Sequence, residues 1–131
     1  MRVLIAEDDP GTRHLLRGML DGLARVDAAE NGRIALERFE AARDEGDPCR
    51  LVLIDIMMPE MNGQELLGEI RKIESEAGVS SEERSRAIMI TVRDDNKNIV
   101  RAFRSQCDAY LVKPINRAEL LGQIRSLGLI D

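Results

Sequence analysis

Residues 51–63 read LVLIDIMMPEMNG. Four consecutive apolar residues, 51–54, predict a strand buried on both faces, and a carboxylate, Asp55, follows where such a strand should emerge. An unpaired buried carboxylate is strongly disfavoured, so Asp55 stands at an exposed strand end, is paired with a cation, or both. Pro59, Asn62 and Gly63 then break the chain into a loop, and a helical pattern begins at Gln64. Asp55 is therefore the candidate reactive centre.

Working outward, the same grammar repeats. Residues 1–6 (MRVLIA) form a short apolar strand ended by Glu7, Asp8 and Asp9, with Pro10-Gly11 opening the next segment. Leu16, Met19, Leu20 and Leu23 fall on one helical stripe. A weaker strand at 25–29 (RVDAA) turns at Asn31-Gly32 into a helix with Ala35, Phe39 and Ala42 on one face, stopped by Gly46-Asp47-Pro48. Beyond the central loop a third helix aligns Leu66, Ile70, Ile73 and Ala77. Residues 78–85 (GVSSEERS) lack periodicity and read as an exposed loop, and the charge-rich stretch 74–86 around them reads as solvated. Then come a strand at 87–90 (AIMI), closed by Thr91, a helix carrying Ile99 and Phe103, a strand at 109–112 (AYLV) followed by Lys113-Pro114, and a last helix with Leu120, Ile124 and Leu127. Five strands alternating with five helices predict an α/β fold, a doubly wound parallel sheet with right-handed crossovers, in one domain spanning 1–131.

Composition narrows the function classes. A net charge of −5 argues against nucleic acid as direct partner, and one Tyr, two Phe and no Trp leave little to stack on bases or a flavin. No apolar run is long enough to span a membrane, and the first strand starts at once, so the expected location is cytoplasmic. Cys49 and Cys107 lack metal-ligand spacing and read as reduced structural thiols.

In a parallel α/β sheet the ligand site lies beyond the carboxyl ends of the strands. Four strands carry a polar residue there: Asp8 and Asp9, Asp55, Thr91, and Lys113. Three neighbouring carboxylates repel one another and call for a dication. An all-oxygen donor set with no His or Cys points to Mg²⁺ rather than zinc. A carboxylate beside Mg²⁺ can attack phosphorus to give an aspartyl phosphate. Lys113 would bring a point charge to one phosphoryl oxygen and the Thr91 hydroxyl a hydrogen bond to another.

The sequence resembles the receiver domains of two-component response regulators over essentially its whole length. The residues that carry the likeness are VLIAEDD (3–9), LVLIDIMMPEMNG (51–63), IMITVRDD (88–95) and AYLVKPI (109–115). The resemblance implies a flavodoxin-like receiver fold of strand order 2-1-3-4-5. It makes Asp55 the phosphoacceptor and Asp8 and Asp9 the acidic pair for Mg²⁺, Asp9 more directly, with Asp55 and the Met57 carbonyl completing the protein ligands. It makes Thr91 the switch hydroxyl, Lys113 the phosphate-contacting lysine and Tyr110 the aromatic residue that turns inward on activation. It also implies a cis Lys113-Pro114 bond.

The function so implied is that of a single-domain response regulator. Its phosphodonor is a sensor histidine kinase or a histidine phosphotransfer protein, and its output is a protein target read by the face of the fourth helix, fifth strand and fifth helix. It would not be an enzyme in the usual sense, catalysing only its own phosphorylation and slow autodephosphorylation, with water passing Met57 and Arg93. Val92 is bulkier than the small residue usual beside the switch Thr and should alter phosphorylation rates, whereas Asn62 for the usual Asp is a mild change. A small Mg²⁺-dependent phosphatase would require an acid/base two residues after Asp55, where Met57 stands, and a degenerate binding scaffold would have lost an acidic or lysine position. His14 reads as a partly exposed helix residue rather than a phosphoryl relay. Met57, Met58 and Met61 read equally as a docking surface or as loop packing.

Overall fold

The computed structural model describes residues 1–92 and 106–131. Five parallel strands, β1 (Arg2–Ala6), β2 (Arg25–Ala29), β3 (Leu51–Asp55), β4 (Arg86–Thr91) and β5 (Ala109–Val112), form one sheet of order β2-β1-β3-β4-β5. Four helices are described: α1 (Pro10–Met19), α2 (Gly32–Asp44), α3 (Gly63–Glu76) and α4 (Arg117–Ser126). The helix expected around Ile99 and Phe103 lies outside the described residues, as does Arg93.

Side chains alternate across a strand, so each central strand feeds two cores. Val3, Ile5, Leu51, Leu53, Ile88, Ile90 and Leu111 face Leu16 and Met19 of α1, Leu20 just after it, and Leu120 and Ile124 of α4. Leu4, Ala6, Val52, Ile54, Ala87 and Met89 face Ala35, Phe39 and Ala42 of α2 and Leu66, Leu67 and Ile70 of α3. The apolar runs of β1, β3 and β4 are continuous because both faces are covered.

Two helix stripes end earlier than the periodicity suggests. The α1 helix stops at Met19 with Leu20 as its C-cap, and Gly22 at φ +80° turns the chain, leaving Leu23 exposed. In α3 the last core-facing position belongs to Glu74, while Ala77 is the exposed C-cap. The stretch 74–86 is accordingly not a simple solvated loop. Glu74 and Ser85 are buried, and the Arg71 guanidinium donates to Glu74 Oε1 (2.7 Å), the Ser85 carbonyl (2.8 Å), the Gln106 carbonyl (3.1 Å) and Asp108 Oδ2 (3.3 Å). Glu74 Oε2 accepts from the Ser85 amide at 2.7 Å, and Arg84 reaches Asp108 Oδ1 at 3.3 Å. Charges at the amino end of the sheet are thus buried in mutual pairs, the arrangement that offsets their desolvation.

Candidate phosphoryl-acceptor site

Strand register brings the site together. In the β1–β3 pairing Val3 lies beside Leu51 and Ile5 beside Leu53, so one further step along each strand sets Glu7 beside Asp55 on the same face. Lys113 continues the same alternation from Ala109 and Leu111 of β5. Its ammonium donates to Glu7 Oε1 at 2.8 Å and to Asp55 Oδ2 at 3.3 Å. Asp55 is the last residue of β3 rather than the first beyond it, and it is buried. Of the alternatives the sequence leaves for its charge, the structure shows pairing with a cation, Lys113.

Glu7 is fully buried. Burial, then a shared hydrogen bond with Asp55, push its carboxyl up to about 8, against the opposing pull of Lys113. Lys113 in turn is held above its ordinary value: burial alone would lower it, and the Glu7 hydrogen bond with the Asp55 charge outweighs that cost. Glu7 Oε2 has no hydrogen-bond partner among the described residues. An orphaned buried oxygen is satisfied by a proton or by a cation, and here both point at the same place.

The acidic set differs by one residue from the sequence expectation. Glu7, Asp8 and Asp55 each offer an oxygen within 4.8 Å of the others. Asp9 is turned away: it is the N-cap of α1, accepting from the Thr12 amide (2.8 Å) and hydroxyl (2.6 Å). Those bonds, the hydroxyl's first, hold its carboxyl below the ordinary range. With Pro10 at the first helical position, the residue before it is the natural cap, which accounts for Asp9 standing outside this cluster. The three-oxygen cluster fits a hard dication: Mg²⁺–oxygen bonds of about 2.1 Å place opposite ligands roughly 4.2 Å apart. Cys49 and Cys107 are buried in the α2–α3 core, so the donor set is oxygen only.

The β3–α3 loop frames the site. The Met57 amide donates to Asp55 Oδ1 at 3.1 Å, and the Ile56 amide to the Ile90 carbonyl at 2.9 Å. Asn62 caps α3 in a capping box with Glu65. Gly63 is required by close approach, since a Cβ there would lie 2.5 Å from the Asp55 carbonyl oxygen. On the fourth strand Thr91 is buried, its hydroxyl donating to the Val92 carbonyl at 3.2 Å, while the Val92 side chain is exposed. The Lys113 amide donates to the Thr91 carbonyl at 2.8 Å, and Lys113-Pro114 is cis, as the resemblance implies. Tyr110 is 39% exposed and Met57 60% exposed. Met58 is buried and Met61 partly buried against the α2–α3 core, so two of the three loop methionines are packing. His14 is exposed on α1, away from the acidic set.

A doubly wound sheet with an acidic cluster and a lysine at the carboxyl ends of β1, β3 and β5 defines an α/β domain whose charged groups converge at one point. Residues 3–125 match the family model of the response regulator receiver domain, and the chain belongs to that family. It is similar to the regulatory protein VanRB of Enterococcus faecalis, 32% identical over 97% of this chain and 52% of that protein. An uncharacterized 14.6 kDa protein of Leptolyngbya boryana is 36% identical over 92% of this chain and 85% of that one. Several curated relatives are about twice as long as the chain, which spans 48% to 52% of VanRB, AruR and IrlR. Among solved structures, response regulator TrrA of Thermotoga maritima, in complex with Mg²⁺-BeF, superposes with a TM-score of 0.76 at 31% identity, covering 96% of this chain and 97% of that one. No helix among the described residues is long and apolar enough to cross a membrane.

Proposed function

We propose that residues 1–131 act as a response regulator receiver domain in the cytoplasm, taking a phosphoryl group onto Asp55 from a phosphohistidine of a sensor histidine kinase or a phosphotransfer protein. The observation that carries this reading is the convergence of Lys113 on Asp55 and on Glu7, whose second oxygen has no partner among the described residues. Asp8, Asp55 and the Met57 carbonyl would hold Mg²⁺, with Glu7 behind them; Asp9 caps α1 instead. When bound, the ion neutralises charge on the phosphoryl oxygens.

An Asp55 carboxylate oxygen forms the new bond to phosphorus as the phosphorus–nitrogen bond to the donor imidazole breaks, and the imidazole leaves with the electron pair. Lys113 exchanges a carboxylate oxygen for a phosphoryl oxygen, keeping its charge opposite the newly delivered one. The Thr91 hydroxyl, now on the Val92 carbonyl, turns to a second phosphoryl oxygen, and Tyr110 moves from its exposed position into the space vacated. The changed face, including β5 and α4, would bind a downstream protein. The slow return reaction is hydrolysis of the acyl phosphate by water entering past Met57.

Incubation with acetyl phosphate and Mg²⁺, read by intact mass, tests this assignment. A single acid-stable, hydroxylamine-labile phosphoadduct is expected, absent from Asp55→Asn. No adduct, or one that survives that substitution, would sink the reading.

A further inference from the structure

We infer that Met61, seated in a notch at Gly32, is a positioning residue that holds the β3–α3 loop in the geometry Asp55 works in. The inference rests on Asp55 being the phosphoacceptor, but the contact itself is independent of that reading.

Gly32 is the first residue of α2, capped by the Asn31 side chain, and its backbone is not left-handed. Glycine is therefore not needed there for conformation, and apart from proline it is the poorest helix former. What the position lacks is room. A Cβ on Gly32 would lie 2.8 Å from both Cβ and Sδ of Met61 and 2.9 Å from its Cγ, well inside the 3.5–4.0 Å of an ordinary carbon contact. The Met61 sulfur could swing aside. Its Cβ moves only with the loop backbone. By contrast Gly18, Gly68 and Gly122, also on helices, have nothing within 4 Å of such a Cβ.

The loop needs an anchor at this point. Its ends are tied, with the Ile56 amide on the Ile90 carbonyl and the Gly63 amide on the Ile56 carbonyl (3.0 Å). Between them Glu60 sits at φ +65°, a strained conformation for a residue with a side chain, which persists only where neighbours over-determine it. Met61 follows directly, partly buried against the α2–α3 core. The same loop carries the Met57 amide that donates to Asp55 Oδ1, so displacing Met61 displaces the group that orients the carboxylate.

Three variants test this: Gly32→Ala, Met61→Ala and Met61→Leu, with Gly68→Ala as the control for adding a methyl to a helix. The first readout is the amide chemical shift of Met57 in metal-free protein, and the second is the Mg²⁺ dissociation constant by NMR titration. Gly32→Ala and Met61→Ala should both move the Met57 amide upfield and weaken Mg²⁺ about tenfold, the scale on which outer supports of a metal act. Met61→Leu should restore most of both, and Gly68→Ala should change neither. A folded Gly32→Ala with a wild-type Met57 amide and wild-type Mg²⁺ affinity would overturn the inference; should that variant not fold, the same pair of results in Met61→Ala does so. Because the amide is read without metal or phosphodonor, a chain that fails to phosphorylate Asp55 leaves this test standing.

Discussion

Lys113 donates to Glu7 at 2.8 Å, closer than to Asp55 at 3.3 Å, joining residues 106 apart in the chain. The lysine is therefore held by Glu7 as well as by Asp55. A phosphoryl group arriving on Asp55 would meet an ammonium that is already oriented.

Glu7 makes metal-free stability fall with pH. Its folded value, about 8, lies above its ordinary 4.5, so between those values the folded protein keeps a proton that the unfolded chain releases. The Glu7 contribution is then fully present below about 4.5 and is lost as pH rises through about 8. Thermal melts in a chelating buffer should show Tm declining across that window, and Glu7→Gln should flatten the decline. A Tm that rises steadily from pH 5 to 8 in both proteins would contradict the assignment.

Asp8 and Asp9 separate cleanly by substitution. Asp8→Asn removes an oxygen of the acidic cluster and should weaken Mg²⁺ at least about tenfold. Asp9→Asn keeps a good N-cap and should leave Mg²⁺ binding near wild type, while Asp9→Ala loses the bonds from Thr12 and lowers Tm. Titration and melting of the three variants decide the matter, and the opposite ranking of Asp8 and Asp9 would restore the sequence expectation.

Val92 is exposed next to the buried Thr91, and the expectation that its bulk slows chemistry at Asp55 is testable by shortening it. Val92→Ala should speed phosphorylation by acetyl phosphate and hydrolysis of the adduct several-fold, with a stability change within about 0.5 kcal/mol, as at other surface positions. Unchanged rates measured by quenched intact mass would show that the side chain does not guard the site.

Arg71 bears the heaviest structural role at the opposite end of the sheet. Arg71→Ala leaves Glu74 buried and Asp108 nearly so without their main cation, and should cost about 3–5 kcal/mol. Chemical denaturation should show the loss, while Asp55 phosphorylation under conditions where the variant is folded stays close to wild type.

Much of this architecture was legible in the chain. Runs such as LVLI and AIMI read as strands because both faces of the sheet are covered, and Asp55, Thr91 and Lys113 could be placed by their positions at strand ends. Glu7 was missed because the acidic run 7–9 says nothing of which carboxylate points inward. The signal was present in register: with Ile5 beside Leu53, Glu7 falls beside Asp55. The capping role of Asp9 was not read because an acid immediately before Pro10 was taken only as part of a helix start. The Arg71 cluster stayed hidden because polar residues far apart in sequence look solvated until the fold pairs them.

The two poles of the sheet differ in electrical completeness. At the amino pole Arg71 and Arg84 face Glu74 and Asp108, and among the described residues each of these two carboxylates has an arginine. At the carboxyl pole Lys113 is the one cation paired with Glu7 and Asp55 among the described residues, with Asp8 exposed beside them. The first cluster thus matches its carboxylates with arginines, while the second holds more carboxyl groups than cations. On the function proposed above, a domain so polarised would register the arrival of an ion and a phosphoryl group at one end while its other end stays paired.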